Sequence, residues 1–145
     1  MRFFVFIEAN QAEILDGWDD FAKTLFPARE WYLGRDHAAL MLAEISADMR
    51  REQTDQEEVD KSRGGVSPFH SEDSAANIHG TARSDDGLNV SQLVAEFRSL
   101  RALIMRLWLP QIDVFSHEVI SDIIRFNESI DEAVADSITS HSANG

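Results

Sequence analysis

The sequence predicts an all-α fold: one helical-bundle domain over residues 1–145, built of five to six helices and ending in a long C-terminal helix. Three observations predict it. Apolar residues recur at helical spacing in every long segment. No segment alternates convincingly with period two, as a half-buried strand would. Helix breakers fall between the periodic runs, at Pro27, at Gly64-Gly65-Val66-Ser67-Pro68, at Gly87 and at Pro110.

The first helix runs from about Phe4 to Leu25, with Ile7, Ile14, Trp18, Phe21 and Leu25 along one side and Pro27 closing it. Phe3-Phe4-Val5-Phe6-Ile7 is dense enough for a strand, but a lone strand has no partner here, so it is assigned to this helix. Arg29 to Arg51 is a second helical region. Gly34 weakens its start, Asp36 is a candidate cap for HAALMLAEISADMRR, and Arg50 and Arg51 suit the negative end of the helix dipole. Thr54 and Glu57 have capping-box spacing for a short charged helix from Asp55 to Arg63. Ser71 or Ser74 starts a polar helix to about Ser84, and Asp85-Asp86-Gly87 turns the chain. Asn89 with Gln92 opens a long helix to Leu109. Pro110 breaks it, and Ser116 caps a last helix from about His117 to Ser140. The expected core is Ile14, Trp18, Phe21, Leu42, Ile45, Phe97, Leu100, Ile104, Leu107, Ile123, Phe126 and Ile130.

With 145 residues, of which 43% are hydrophobic, the chain can bury an ordinary core. No run of about 18 apolar residues exists to span a bilayer. The FFVFI cluster is too short for a secretory core and lacks a cleavage site. Zero cysteines remove disulfides and thiolate chemistry and fit a cytoplasmic protein. The 26 acidic against 13 basic residues leave a net charge of −13, which disfavours nucleic acid and anionic membrane surfaces as partners.

No dedicated chemistry emerges from motifs. His37, His70, His79, His117 and His141 include no pair three or four apart, and HExxH and CxxC are absent, so no metal and no cofactor are expected. His79 on the polar helix is read as an ordinary surface or partly buried histidine. Haem ligation by a globin-like helical sensor is the minor alternative. Ser116-His117-Glu118 resembles a phospho-acceptor box only in its His–acid order and continues as VISDII, a chance match. No nucleophile elbow or phosphate loop occurs, so the chain is not expected to be an enzyme. The aromatics are read as core first, with a ligand pocket lined by a few of them as the alternative.

The last two helices carry the most information. Leu93, Phe97, Leu100, Ile104 and Leu107 step by four, three, four and three, a seam for another helix. Ile120, Ile123, Asn127, Ile130, Val134 and Ile138 form a second stripe with one polar member. Arg125–Glu128 and Glu128–Glu132 have same-face spacing, and an antiparallel pairing across Pro110 brings Arg101 within reach of Asn127 or Asp131. These charges are either a solvated rim or a network that fixes register; the candidate interface and register residues are Arg98, Arg101, Asn127, Ile130, Asp131 and Val134.

The blocks EFRSLRALIMRLW and DIIRFNESIDEAVADS resemble the end of the RsbRD-type N-terminal domain (the RsbT co-antagonist RsbRD N-terminal domain family). WDDFAKTL, RDHAALMLAEISADMR, KSRG and IHGTAR precede them in the family's order, so the resemblance covers nearly the whole chain. It departs at LPQIDVFSHEV, a variable region, and the family's aromatic–Arg pair appears as Phe97-Arg98. The resemblance implies an all-helical sensory module, globin-like in some bacterial sensors. Such modules precede the transmitter of cytoplasmic histidine kinases and occur in some stress-response antagonists. It implies a homodimer that regulates a kinase through its C-terminal helix. Because the sequence stops at Asn144-Gly145, either an excised domain or a stand-alone version is expected. In the stand-alone case, the acidic helices dock a kinase or anti-sigma-type regulator.

Overall fold

Five α-helices form the described residues of the computed structural model, which are 2–25, 33–51, 63 and 74–144. They are α1 (Phe3–Leu25), α2 (Leu33–Arg50), α3 (Ala75–Asp85), α4 (Val90–Trp108) and α5 (His117–Asn144), with one 3₁₀ turn, Leu109–Gln111, at Pro110. No strand occurs among the described residues. The closing role expected of Pro27, the helix from Asp55 and the Gly64–Pro68 loop fall outside them.

The local signals act as their chemistry predicts. The opening FFVFI belongs to α1, which kinks at Asn10 (φ −124°, ψ 16°), where the Asn10 amide donates to the Phe6 carbonyl. Asn89 and Gln92 form a complete capping box on α4. Ser74 rather than Ser71 caps α3, accepting from Asn77 N, and Ser116 accepts from Val119 N to start α5. Asp36 does not cap α2, which begins at Leu33; it lies in the first turn. Gly87 takes the one positive φ among the described residues, 86°, and turns α3 into α4.

α1 and α2 lie antiparallel. Arg35 at the start of α2 pairs with Asp16 and Asp19, while Arg50 at its end pairs with Glu8. α5 packs against all four other helices. The aromatic centre of the bundle joins three elements: Phe3 lies 4.6 Å from Phe126 and 4.9 Å from Trp108, ring centre to ring centre. Such edge and tilted contacts add to a burial term that already dominates bundle stability.

Most of the expected core is buried: Ile14, Trp18, Leu42, Ile45, Phe97, Leu100, Ile104, Phe126 and Ile130. Leu107 and Ile123 are half-buried and pack against it, and Phe21 is half-buried. The stripe expected on the last helix is only part of the observed face. Ile130 is buried and Ile123 and Val134 pack against the core, but Ile120 is 46% exposed, and Val119, Asp122, Arg125, Phe126, Ser129, Ala133 and Ser137 also turn inward. The apolar pattern misleads because part of this helix's buried face is polar.

Candidate functional site

The polar helix α3 carries the buried site. Its first turn is held from two directions: Ser74 caps it, and the Glu44 carboxylate of α2 accepts from Ala75 N at 3.1 and 3.2 Å, at the positive end of the helix dipole. One turn further, His79 points into the bundle and is fully buried, more deeply than its reading as a surface or partly buried residue allowed. Arg83 follows four residues later on the same face and is also buried. Both meet Glu96 of α4. Arg83 Nε and Nη2 each donate to a Glu96 oxygen at 2.9 Å, and His79 Nε2 lies 3.2 Å from Glu96 Oε1. A guanidinium held in this two-pronged way neutralises a carboxylate that would otherwise be costly to bury.

The other edge of the His79 ring faces α2. His37 Nδ1 lies 3.0 Å from His79 Nδ1, so the two rings share one hydrogen. Charge decides where it sits. Burial pushes the Glu96 carboxyl up, but the hydrogen bonds and charges of His79 and Arg83 outweigh burial and hold it below its ordinary range. Glu96 is therefore an anion, and His79 donates Nε2–H to it. For a neutral His79 imidazole, Nδ1 is then a lone pair and His37 donates Nδ1–H. His37, half-buried, has its own pKa lowered by burial first and then by the neighbouring His79 and Arg83 charges. The sequence thus yields a directed chain, His37 to His79 to Glu96, with Arg83 closing it, across α2, α3 and α4.

Aromatic rings occupy the space around His79: Trp18 at 5.6 Å and Phe97 at 5.9 Å between ring centres, with His37 at 5.2 Å. A flat haem on His79 would have to displace these rings, so the arrangement does not fit an axial haem ligand. No group of three or more His, Cys, Asp or Glu able to hold a metal occurs among the described residues.

The opposite face of α3 meets α5. A Cβ on Gly80 would lie 2.1 Å from the Ser137 carbonyl oxygen, so only glycine allows the two backbones this close. Ser137 Oγ donates to Ala76 O beside that crossing, Ser140 Oγ donates to Asn77 Oδ1 and Asn144 donates to Asp85. The pairings ascend together, so α3 and α5 run in the same direction. Elsewhere on α5, Asp122 accepts from Arg2 at 2.7 and 3.0 Å and from Phe3 N at 3.1 Å. Arg125 donates to the last carbonyls of α2, Met49 O at 3.1 Å and Asp48 O at 2.7 Å.

The residues expected to form an interface or set register are dispersed. Arg101 pairs with Asp131 across α4 and α5, one of the two reaches the antiparallel pairing allowed. Asn127 is bound by neither: its amide donates to the Ile123 carbonyl of its own helix at 2.8 Å, and it is only half-buried. Its expected partnership with Arg101 or Asp131 is therefore corrected. Ile130 is fully buried and cannot face a second copy, Val134 is half-buried and Arg98 is exposed. Arg125, expected beside Glu128, reaches across to α2. The signal for the buried site was present in the sequence as His79 and Arg83 at same-face spacing with Glu96 on the next helix, but spacing alone did not say that the face was internal.

Geometry and charge define an all-α bundle with an internal polar chain and a polar-clasped terminal helix. No family model, no curated protein and no solved structure matches this chain. No helix among the described residues is long and apolar enough to cross a membrane.

Proposed function

We propose that this domain is a non-catalytic sensory and dimerisation module of a bacterial signalling protein, regulating a cytoplasmic histidine kinase transmitter through α5. One observation carries the reading: α5, at 28 residues the longest helix here, touches all four others through separate polar clasps. Asp122 holds the start of α1, Arg125 the end of α2, Ser137 the first turn of α3, and Asp131 holds Arg101 of α4. A shift of any helix is felt by α5, and packed helices move between discrete arrangements rather than deforming continuously. The sequence resemblance to the RsbRD-type domain supplies the kinase.

The test joins the domain to its transmitter and measures autophosphorylation. Arg125→Ala, which frees the end of α2 from α5, changes the output set point, whereas Arg106→Ala on the exposed side of α4 leaves it unchanged. Output indifferent to both substitutions, with the bundle still folded, removes α5 as the route.

A second reading, a partner-binding regulator, draws on Val114, Phe115, Ile120 and Ile124. These are 73%, 55%, 46% and 54% exposed and gather around the start of α5. Capture of the isolated domain by the transmitter in trans separates this reading from the first.

A further inference from the structure

We propose that His37 and His79 form a proton-sensing dyad, which holds α2 to α3 while it carries one added proton and releases α2 when it takes a second. The two Nδ1 atoms come from different helices and lie 3.0 Å apart with a single hydrogen between them. The far edge of His79 is committed, with Nε2 3.2 Å from Glu96 Oε1, and the ring is fully buried beside Trp18 and Phe97. His37 is half-buried, and its Nε2 has no partner among the described residues. Protons from solvent therefore enter through His37.

Two neutral rings share one central hydrogen, donated by His37. A first added proton bonds to His37 Nε2. The central hydrogen then stays on His37 Nδ1 or crosses to His79 Nδ1, and in both cases the rings keep one hydrogen between them and His79 keeps its bond to Glu96. The crossing brings the charge against the Glu96 carboxylate. A second proton finds only an Nδ1 lone pair left to take. Two N–H groups then confront each other across 3.0 Å, and two imidazolium charges join Arg83 against the single carboxylate of Glu96. The rings must part. The titration belongs to the pair and not to either ring, as it does when two ionisable groups are in direct contact.

Burial opposes protonation of His37 most, followed by His79 and Arg83 of α3, whereas Asp36 on α2 and Glu96 on α4 favour it. From α1 comes the Trp18 ring, and Asp16 and Asp19 of that helix are taken by Arg35. α5 meets the opposite face of α3, where Ser137 crosses Gly80. The balance holds His37 below its ordinary value of 6.5, so it takes its proton on the acid side of that value. Glu96 is held below its own ordinary range and stays ionised there, so Arg83 keeps α3 on α4 while α2 lets go. Mild acid thereby opens one helix contact without melting the bundle. α5 spans the break, bonded to the end of α2 through Arg125 and to α3 through Ser137. Passage of the change to a kinase rests on the signalling reading above; the opening of the pair does not.

The isolated 145-residue chain, labelled with nitrogen-15 at histidine, is titrated by NMR from pH 8 to about pH 4.5. The expected record at pH 8 is a coupling between the two Nδ1 nuclei across their shared hydrogen. It survives the first proton uptake and disappears at the second, with amide shifts concentrated in residues 33–50 and 75–85 and circular dichroism unchanged. His37→Gln offers His79 a hydrogen-bonding side chain that does not titrate, and it abolishes those amide shifts. His117→Gln, at an exposed position, retains them. No coupling at any pH, a coupling that outlasts both uptakes, a loss that comes only with global unfolding, or amide shifts that persist in His37→Gln overturns the dyad. If His37→Gln does not fold, the record from the unaltered protein decides. A joined transmitter that ignores pH while the pair opens in the isolated chain overturns the signalling reading and leaves the dyad standing.

Discussion

Glu96, Arg83 and His79 are all buried, and each satisfies another. Removing one partner leaves an uncompensated charge in a low-dielectric interior. Glu96→Ala removes the buried counter-charge of Arg83, which keeps its contact with the more exposed Asp86, and costs about 3–5 kcal/mol in urea unfolding, a sizeable share of the stability of a domain of this size. Replacing the pair together by apolar residues of similar size costs much less, and a double-mutant cycle measures the difference. Acid acts on the same residues, and the sign follows from the direction of each shift. His37 binds its proton less readily when folded than at its ordinary value of 6.5, so in EDTA-containing buffer stability is full above about pH 6.5 and falls as the pH drops below it. Glu96, also shifted down from 4.5, contributes a further loss at lower pH. Thermal midpoints measured from pH 8 to pH 4 should fall in that order, and His37→Gln should remove the first part. A midpoint flat to pH 5 refutes the assignment of His37.

At the scale of elements, the contact of α3 with α5 is the least forgiving. Gly80→Ala drives a methyl group into the Ser137 backbone at 2.1 Å, and backbone cannot yield as a side chain can. The expected loss is about 2–3 kcal/mol. Gly17→Ala makes a comparable contact, 2.4 Å, but with the terminal methyl of Leu103, which can rotate away. It should cost much less, and helix propensity offsets part of it by up to about 1 kcal/mol. Parallel denaturation curves of the two variants check this ranking; equal losses would mean that the helices slide apart freely at Gly80. α2 and α5 depend on one another through Arg125, whose guanidinium donates to two carbonyls of the last turn of α2, Met49 O and Asp48 O, the second of which also accepts from Arg51 N. Arg125→Ala should raise amide exchange in the last turn of α2 before anywhere else.

For the whole molecule, the proposed dimer needs a surface, and Ile130, once a candidate for it, lies in the core. Val114, Phe115, Ile120 and Ile124 remain as the exposed apolar residues near the start of α5. Light scattering across high micromolar concentrations should give about twice the 16.4 kDa of one chain. Ile124→Glu should return it to the monomer mass without loss of helix, since that side chain is more than half exposed. A monomer at every concentration removes dimerisation from the proposed function.

The sequence by itself determined the helices. Period and capping are local, so Asn89 with Gln92, Ser116, Gly87 and Pro110 marked their boundaries before any packing was known. It also determined most of the core, because a long apolar side chain on an amphipathic helix has one low-energy direction to face. Tertiary structure decided the rest. The buried face of α5 is partly polar, carrying Asp122, Arg125, Ser129 and Ser137, so an apolar stripe read from spacing found Ile130 and its neighbours but not these. His37 and His79 are 42 residues apart, and no local rule joins side chains at that separation. Which face of the polar α3 turns inward depends on Arg83 and Glu96 neutralising each other, an energy that exists only once α3 and α4 have met.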